Sequence, residues 1–176
     1  MILCAGRTEQ FSFATPIGVG LIESAYNLSK IISEQKPKQI LFVGSCGSYG
    51  RLNMLDTFFS GSATQIEQSY IYENSYTPIE NKIINNVSHE TIVNSSNYIT
   101  TEKKSSDMFL QMGIEAENME FYSIMWAAQR VGIEAKGFFV VTNYCHADGG
   151  AEYKNNLTEA TRIIYDRYEK ELKKYE

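Results

Sequence analysis

The chain is short of several features that would tie it to common functions. Its three cysteines, Cys4, Cys46 and Cys145, form no CxxC pair, and an odd number argues against a disulfide framework. Reduced thiols in a cytoplasmic protein are the ordinary reading. The two histidines, His89 and His146, lack metal spacing, and no His/Cys/carboxylate cluster points to a metal. Basic charge is not in excess. Sixteen Lys and Arg against 21 Asp and Glu leave a net charge of −5, with no basic patch of the kind that coats nucleic acid. The apolar run over residues 1–5 has no basic leader and is too short for a signal peptide or a membrane helix. It suits a buried strand. No internal repeat or low-complexity tract occurs. No GxGxxG follows a strand with a ribose-binding acid further on, which sets a generic dinucleotide-binding module last among the readings.

What remains is an ordinary globular composition. The 176 residues are 43% hydrophobic and 21% charged, which suits one domain spanning 1–176 with a single substantial core. An anionic substrate stays open, because one Arg or one helix N-terminus can hold a phosphate.

Residues 21–34 carry Leu21, Ile22, Ala25, Leu28, Ile31 and Ile32, an i, i+3, i+4 stripe that predicts a helix ending before Pro37. Ile40-Leu41-Phe42-Val43 predicts a short buried strand stopping at Gly44. Residues 57–64 are a weaker strand candidate, and residues 69–96 are polar and rich in Asn and Tyr, without a clear period. Asn118 is a plausible cap for a helix with Met119, Tyr122, Met125, Trp126 and Gln129 on one face, stopped by Gly132. Gly137-Phe138-Phe139-Val140-Val141-Thr142 is the clearest strand. A last helix is expected from about Leu157, with Ile164, Tyr168, Leu172 and Tyr175 near i+4 spacing. Strands that are unbroken apolar runs, alternating with helices, predict an α/β fold with a sheet covered on both faces.

Three blocks carry the chemistry. In the first, Val43-Gly44-Ser45-Cys46-Gly47 reads as a strand end followed by a turn that lets backbone N–H groups and the Ser45 hydroxyl approach an anion or a sugar. In the second, Asn118-Met119-Glu120 opens a helix, where a carboxylate could accept from both hydroxyls of a cis-diol or merely compensate the helix dipole. In the third, Val141-Thr142-Asn143-Tyr144 ends a strand. Asn143 there is either a turn residue or a hydrogen-bond donor that cannot supply a proton.

Together these blocks resemble the nucleoside phosphorylase/nucleosidase superfamily, which includes purine nucleoside phosphorylases, methylthioadenosine/S-adenosylhomocysteine nucleosidases and futalosine hydrolases. The stretch from Gly18-Val19-Gly20 through the following helix to Gly-Ser-Cys-Gly matches the phosphorylase pattern. Asn118-Met119-Glu120 is similar to the family's EMEG/EMEA motif, and Gly132 to Asn143 to its ending in ISD or ISN. The resemblance implies a three-layer α/β/α sandwich with a central mixed β-sheet, trimmed relative to the family. It implies cleavage of the N-glycosidic bond of a purine nucleoside, with hydrolysis favoured over phosphorolysis and a catalytically weak nucleoside-binding relative as a further alternative. It assigns Met119 and Glu120 to the ribose and Asn143 to N7 of the leaving purine. Ala5-Gly6-Arg7-Thr8-Glu9 is similar to the GAMEEE start of the nucleosidases, making Glu9 the water-activating base. It is also similar to the phosphorylases' GDPxR loop, which would give Arg7, with Ser45 and the Gly18–Gly20 turn, to phosphate. Residues 95–99 correspond to the base-binding segment, with Tyr98 stacking on the purine and the Ile99 amide binding it.

Two departures bear on mechanism. Phe42 stands where the phosphorylases carry an arginine, and far fewer residues separate the first strand from Gly18 than in the family. No cofactor is implied, inorganic phosphate being at most a co-substrate. The implied partner is a small purine nucleoside, with neither nucleic acid nor membrane, in a cytoplasmic homodimer or larger homo-oligomer.

Overall fold

A computed structural model describes residues 1–85 and 90–176, so His89 lies outside the described residues. In chain order the elements are β1 (Ile2–Cys4), β2 (Thr15–Pro16), α1 (Leu21–Gln35), β3 (Gln39–Ser48), β4 (Thr57–Ser60), β5 (Ala63–Thr64), α2 (Gln68–Ile71), β6 (Lys82–Ile83), β7 (Val93–Ser95), α3 (Lys103–Gln111), β8 (Ala116–Asn118), α4 (Phe121–Arg130), β9 (Glu134–Tyr144) and α5 (Gly149–Arg167). A π turn (Tyr168–Leu172) and a 3₁₀ turn (Lys173–Tyr175) prolong α5.

The described strands form one mixed sheet ordered β2-β1-β3-β8-β7-β5-β6, with β9 pairing to both β3 and β4. β3 and β9 run parallel along their whole lengths, from Gln39 opposite Glu134 to Ser48 opposite Tyr144. The two-residue period of β3 divides its side chains between the faces. Ile40 and Phe42 join Leu3, Leu28, Phe121, Ile124 and Phe139 in the core under α1 and α4. Leu41 and Val43 join Ile2, Phe138, Val140, Ala160, Ile164 and Leu172 under α5. A third cluster, with Tyr49, Phe109 and Ile114, seats α3 against the end of β3. The molecule is thus the expected α/β/α sandwich.

Several boundaries differ from the sequence-based expectation. β3 does not stop at Gly44. It continues through Ser45-Cys46-Gly47 to Ser48, because β9 pairs with it throughout and a register shift between Cys46 and Gly47 absorbs the irregularity. Residues 57–64 are two strands, β4 and β5. α5 begins at Gly149, well before Leu157, because its glycine- and asparagine-rich first turns carry no apolar stripe. Asn118 ends β8 and the cap position of α4 falls to Glu120, two residues later than expected, although Asn118 Oδ1 accepts from the N–H groups of Glu120 and Phe121 at 2.8 and 2.9 Å. Gly132, at φ +71°, follows the end of that helix as expected of a stop. Between β1 and Gly18 the chain carries one strand, the two-residue β2, paired parallel with β1.

Candidate active site

The site arises from a split along one edge of β3. β1 pairs with the first half of that edge (Leu3 opposite Phe42), and β8 pairs antiparallel with its end (Gly47 opposite Glu117). Over residues 43–46, no described strand lies between them. The backbone there must find other partners, since an unpaired buried amide or carbonyl is costly. Glu9 takes the Ser45 N–H at 2.8 Å, and the Asn118 side-chain amide donates to the Ser45 carbonyl at 3.1 Å. The gap opens into a cavity of about 290 Å³. Such parting points at strand ends are where α/β sheets commonly bind ligands.

The loop after β1 delivers Glu9. Gly6 (φ +91°) and Arg7 (φ +56°) turn the chain tightly, closed by mutual backbone hydrogen bonds between Gly6 and Glu9 at 3.3 and 3.0 Å. The Glu9 carboxylate also accepts from the Ser45 hydroxyl at 2.6 Å and from the Tyr153 hydroxyl at 3.4 Å. A Cβ on Gly44 would stand 3.1 Å from both Glu9 and the Phe42 ring, so glycine leaves room for the carboxylate. Phe42, fully buried, makes this flank apolar.

Glu120 enters at the junction of β8 and α4. It is 3% exposed, and its Oε1 accepts from the Gly20 N–H at 2.9 Å. Burial pushes its pKa up to about 7; the charge of Glu9 adds to the rise, and the Gly20 hydrogen bond opposes it. The two helices behind it are joined by Ser24 and Ser123, whose hydroxyls lie 2.5 Å apart, and Ser123 also donates to the Glu120 carbonyl. Asn143 is the last residue but one of β9. Its amide nitrogen donates to the Tyr144 carbonyl at 3.1 Å, and its oxygen accepts from Thr142 at 3.0 Å.

Glu9, Ser45, Ile99, Met119, Glu120 and Asn143 therefore line one cavity. Four other expected residues do not. Tyr98 is 77% exposed. The Arg7 side chain lies at the surface, 3.5 Å from Glu23. Of the Gly18–Gly20 turn only Val19 lines the cavity, and the turn's donors are already engaged: Gly18 N–H on the Ala5 carbonyl, Val19 N–H on Glu23, Gly20 N–H on Glu120. Residues that sequence reasoning passed over also line the cavity, among them Glu117, Tyr153 and the Gly149-Gly150 start of α5. Glu117 and Tyr153 are single polar residues within otherwise unremarkable segments, and nothing in their sequence neighbourhood sets them apart.

The lining holds three carboxylates, Glu9, Glu117 and Glu120, and no Lys or Arg among the described residues. Such a surface disfavours a phosphate and favours a positive charge developing on a ligand. Among the described residues there is no group of three or more His, Cys, Asp or Glu side chains that could hold a metal. No described helix is long and apolar enough to cross a membrane.

No family model matches the sequence, and no curated protein matches it. Solved structures do match the fold. A mutant of Helicobacter pylori methylthioadenosine nucleosidase with 5′-methylthioadenosine in its active site superposes with a TM-score of 0.74 at 14% identity, covering 91% of each chain. The fold is the nucleosidase fold. Native futalosine hydrolase of Helicobacter pylori gives a TM-score of 0.75 at 14% identity, over 92% of this chain and 91% of that one. The Streptococcus pneumoniae methylthioadenosine/S-adenosylhomocysteine nucleosidase with a transition-state inhibitor gives 0.73 at 10% identity, over 92% of each chain. At such identities the nucleosidase fold is what the likeness carries.

Proposed function

We propose that the protein hydrolyses the N-glycosidic bond of a purine nucleoside. The observation that carries this reading is the convergence of Glu9–Ser45, Met119–Glu120 and Asn143 on one acidic cavity of the nucleosidase fold. In this mechanism Glu120 accepts hydrogen bonds from the ribose 2′- and 3′-hydroxyls, and Met119 packs on the sugar. The C1′–N9 bond breaks first, its electron pair leaving with the base. Asn143 donates to N7, and solvent supplies the proton that an amide cannot. Water then adds to C1′ and gives its proton to Glu9, which Ser45 holds in place. The carboxylates lower the energy of the oxocarbenium-like transition state.

Phosphorolysis is disfavoured by the same lining. Phosphate would meet Glu9 and Glu120 without a facing cation, Phe42 replaces the arginine of the phosphorylases, and the Gly18–Gly20 amides are engaged. The decisive assay incubates the protein with inosine, adenosine, methylthioadenosine and futalosine, with and without phosphate, and follows free base and sugar. Release of base and free sugar without phosphate is expected. Strict phosphate dependence overturns hydrolysis, and no release with any substrate leaves a nucleoside binder.

The assembly proposed is a homodimer or a larger assembly built from dimers. Ile22 (79% exposed), Tyr26 (72%), Tyr98 (77%) and Ile99 (60%) expose apolar surface along α1 and the adjoining loop, where the Leu21 N–H donates to Asn97. Ile99 also lines the cavity, so a second copy on this face would wall off the open side of the site. Sedimentation at micromolar concentration tests this, a monomer counting against it.

A further inference from the structure

Glu117 is the one carboxylate of the cavity to which the proposed mechanism gives no work. It is 6% exposed, and burial raises its pKa. Its oxygens are nearly fully subscribed. One accepts from the Thr100 N–H at 2.9 Å, with the Cys145 thiol at 3.9 Å. The other accepts from the Thr100 hydroxyl at 2.5 Å and the Tyr49 hydroxyl at 2.8 Å. A carboxylate so engaged has little capacity left for a ligand. Its partners come from separate parts of the chain: the loop after β7, the residue following β3 and the segment after β9.

The sheet register shows what this ties together. Glu117 on β8 stands opposite Gly47 on β3, and Gly47 stands opposite Asn143 on β9. Residues opposite one another share a face, so a carboxylate, a glycine and an amide form one row across three strands. A Cβ on Gly47 would lie 2.7 Å from the Cys145 sulfur and 3.0 Å from the Asn143 amide nitrogen, so the row is packed without slack. On its far side Glu117 holds Thr100, the residue next to Ile99. The same loop is tied at its start, where Asn97 accepts from the Leu21 N–H at 2.8 Å and Ser96 Oγ accepts from the Tyr98 N–H at 3.0 Å.

We infer that Glu117 is a positioning residue for the nucleobase: it fixes the wall carrying Ile99 at a set distance from Asn143, so that a planar base fits between them. The inference rests on the nucleosidase reading of the cavity. Glu117 acts through Thr100 and the row it shares with Asn143, without touching the substrate. Its loss should therefore loosen base binding in ground and transition states alike, raising KM and sparing kcat.

The test measures equilibrium binding of free hypoxanthine and adenine beside nucleoside hydrolysis, for wild type, Glu117→Ala and Glu117→Gln. Glutamine keeps an acceptor for the Thr100 N–H, and the two hydroxyls can turn to accept from its amide. Glu117→Ala should weaken base binding about tenfold and raise KM in parallel with kcat within about threefold, and Glu117→Gln should recover most of the loss. Base affinity unchanged in Glu117→Ala, or a fall in kcat at constant KM, overturns the inference. If Glu117→Ala does not fold, Thr100→Val decides in the same way, a threefold or larger loss of base affinity supporting it and wild-type affinity overturning it. Wild-type protein that binds neither base also overturns it. Wild type that binds base but hydrolyses no nucleoside removes the hydrolase reading alone, whereas hydrolysis with an unaltered KM in Glu117→Ala removes the positioning role alone.

Discussion

The two ends of the cavity are built differently. At one end Glu9 and Glu120 are each gripped by a backbone N–H, from Ser45 and Gly20, and are set into the gap between β1 and β8. The rest of the lining includes Asn143 and Ile99, the latter on a loop whose Tyr98 and Ile99 are 77% and 60% exposed. Ser45 lies within β3 and Gly20 immediately precedes α1, whereas the loop is held by its side-chain ties. On the proposed reading the chemistry is assigned to the rigid end, and recognition to an end that a second subunit completes. Changes at the first end should therefore act on rate, and changes at the second on affinity and preference.

The sharpest break of that contrast is Glu120→Ala. If Glu120 holds the ribose diol as positive charge develops, kcat/KM should fall roughly 10²–10⁴-fold. The melting temperature should not collapse with it, because the change also removes a buried carboxylate. Steady-state kinetics with a verified substrate, alongside thermal melting, checks both. Unchanged turnover would take Glu120 out of the site. Next in size is Glu9→Gln, which preserves shape and loses the base: a fall of roughly 10²-fold or more in kcat is expected, with KM little altered. Wild-type rates should not respond to added phosphate. A phosphate-dependent rate that survives Glu9→Gln would move the nucleophile's binding site elsewhere.

A pH profile sharpens the same end. Glu120 has its pKa raised from 4.5 to about 7 by burial, with Glu9 adding to the rise. If the ionised form is the active one, kcat/KM should climb about tenfold per pH unit below pH 7 and level off above it, and Glu120→Gln should lose that limb. The stability consequence has the opposite sense. A carboxylate whose folded pKa is raised favours the folded state most below its unfolded pKa, and that advantage is lost as pH rises through 4.5 toward 7. Relative to Glu120→Gln, the wild type should thus lose melting temperature across that window. A flat difference would mean that Glu120 is not perturbed in solution.

How far the fold was legible depends on how each segment signals itself. α1 was readable almost to the residue, because Leu21 to Ile32 repeat at helical spacing before Pro37. β9 was readable because Phe138 to Val141 are apolar on both faces. β8 was not: three residues, Ala116-Glu117-Asn118, are too few to show a period, and only pairing with β3 and β7 makes them a strand. The continuation of β3 through Gly44-Ser45-Cys46-Gly47 was hidden because small residues signal a turn locally, while the long partner β9 overrides them. The residues resembling family motifs meet in one cavity, apart from Arg7, Tyr98, Gly18 and Gly20, whose side chains or amides are engaged elsewhere. Glu117 escaped notice for a different reason. Its partners Tyr49, Thr100 and Cys145 are brought to it by the topology, and no spacing along the chain could announce that.

The smallest expected effect concerns Asn143 and probes the base end. Its amide already donates one hydrogen to the Tyr144 carbonyl and accepts from Thr142, which leaves one N–H for the ligand. One N–H can stabilise a base leaving as an anion or tautomer but cannot protonate it. A 6-oxopurine leaves more readily than adenine without full protonation at N7, so the protein should prefer inosine-type over adenosine-type nucleosides. No titration of Asn143 itself should appear in the pH–rate profile. Asn143→Asp introduces a group that can carry the proton, and should move the preference toward adenosine-like substrates, about tenfold in the ratio of kcat/KM values. Competition assays with inosine and adenosine on both proteins measure that ratio directly. A wild type that prefers adenosine or methylthioadenosine by tenfold or more would mean that another group protonates the base, and would take Asn143 out of that role.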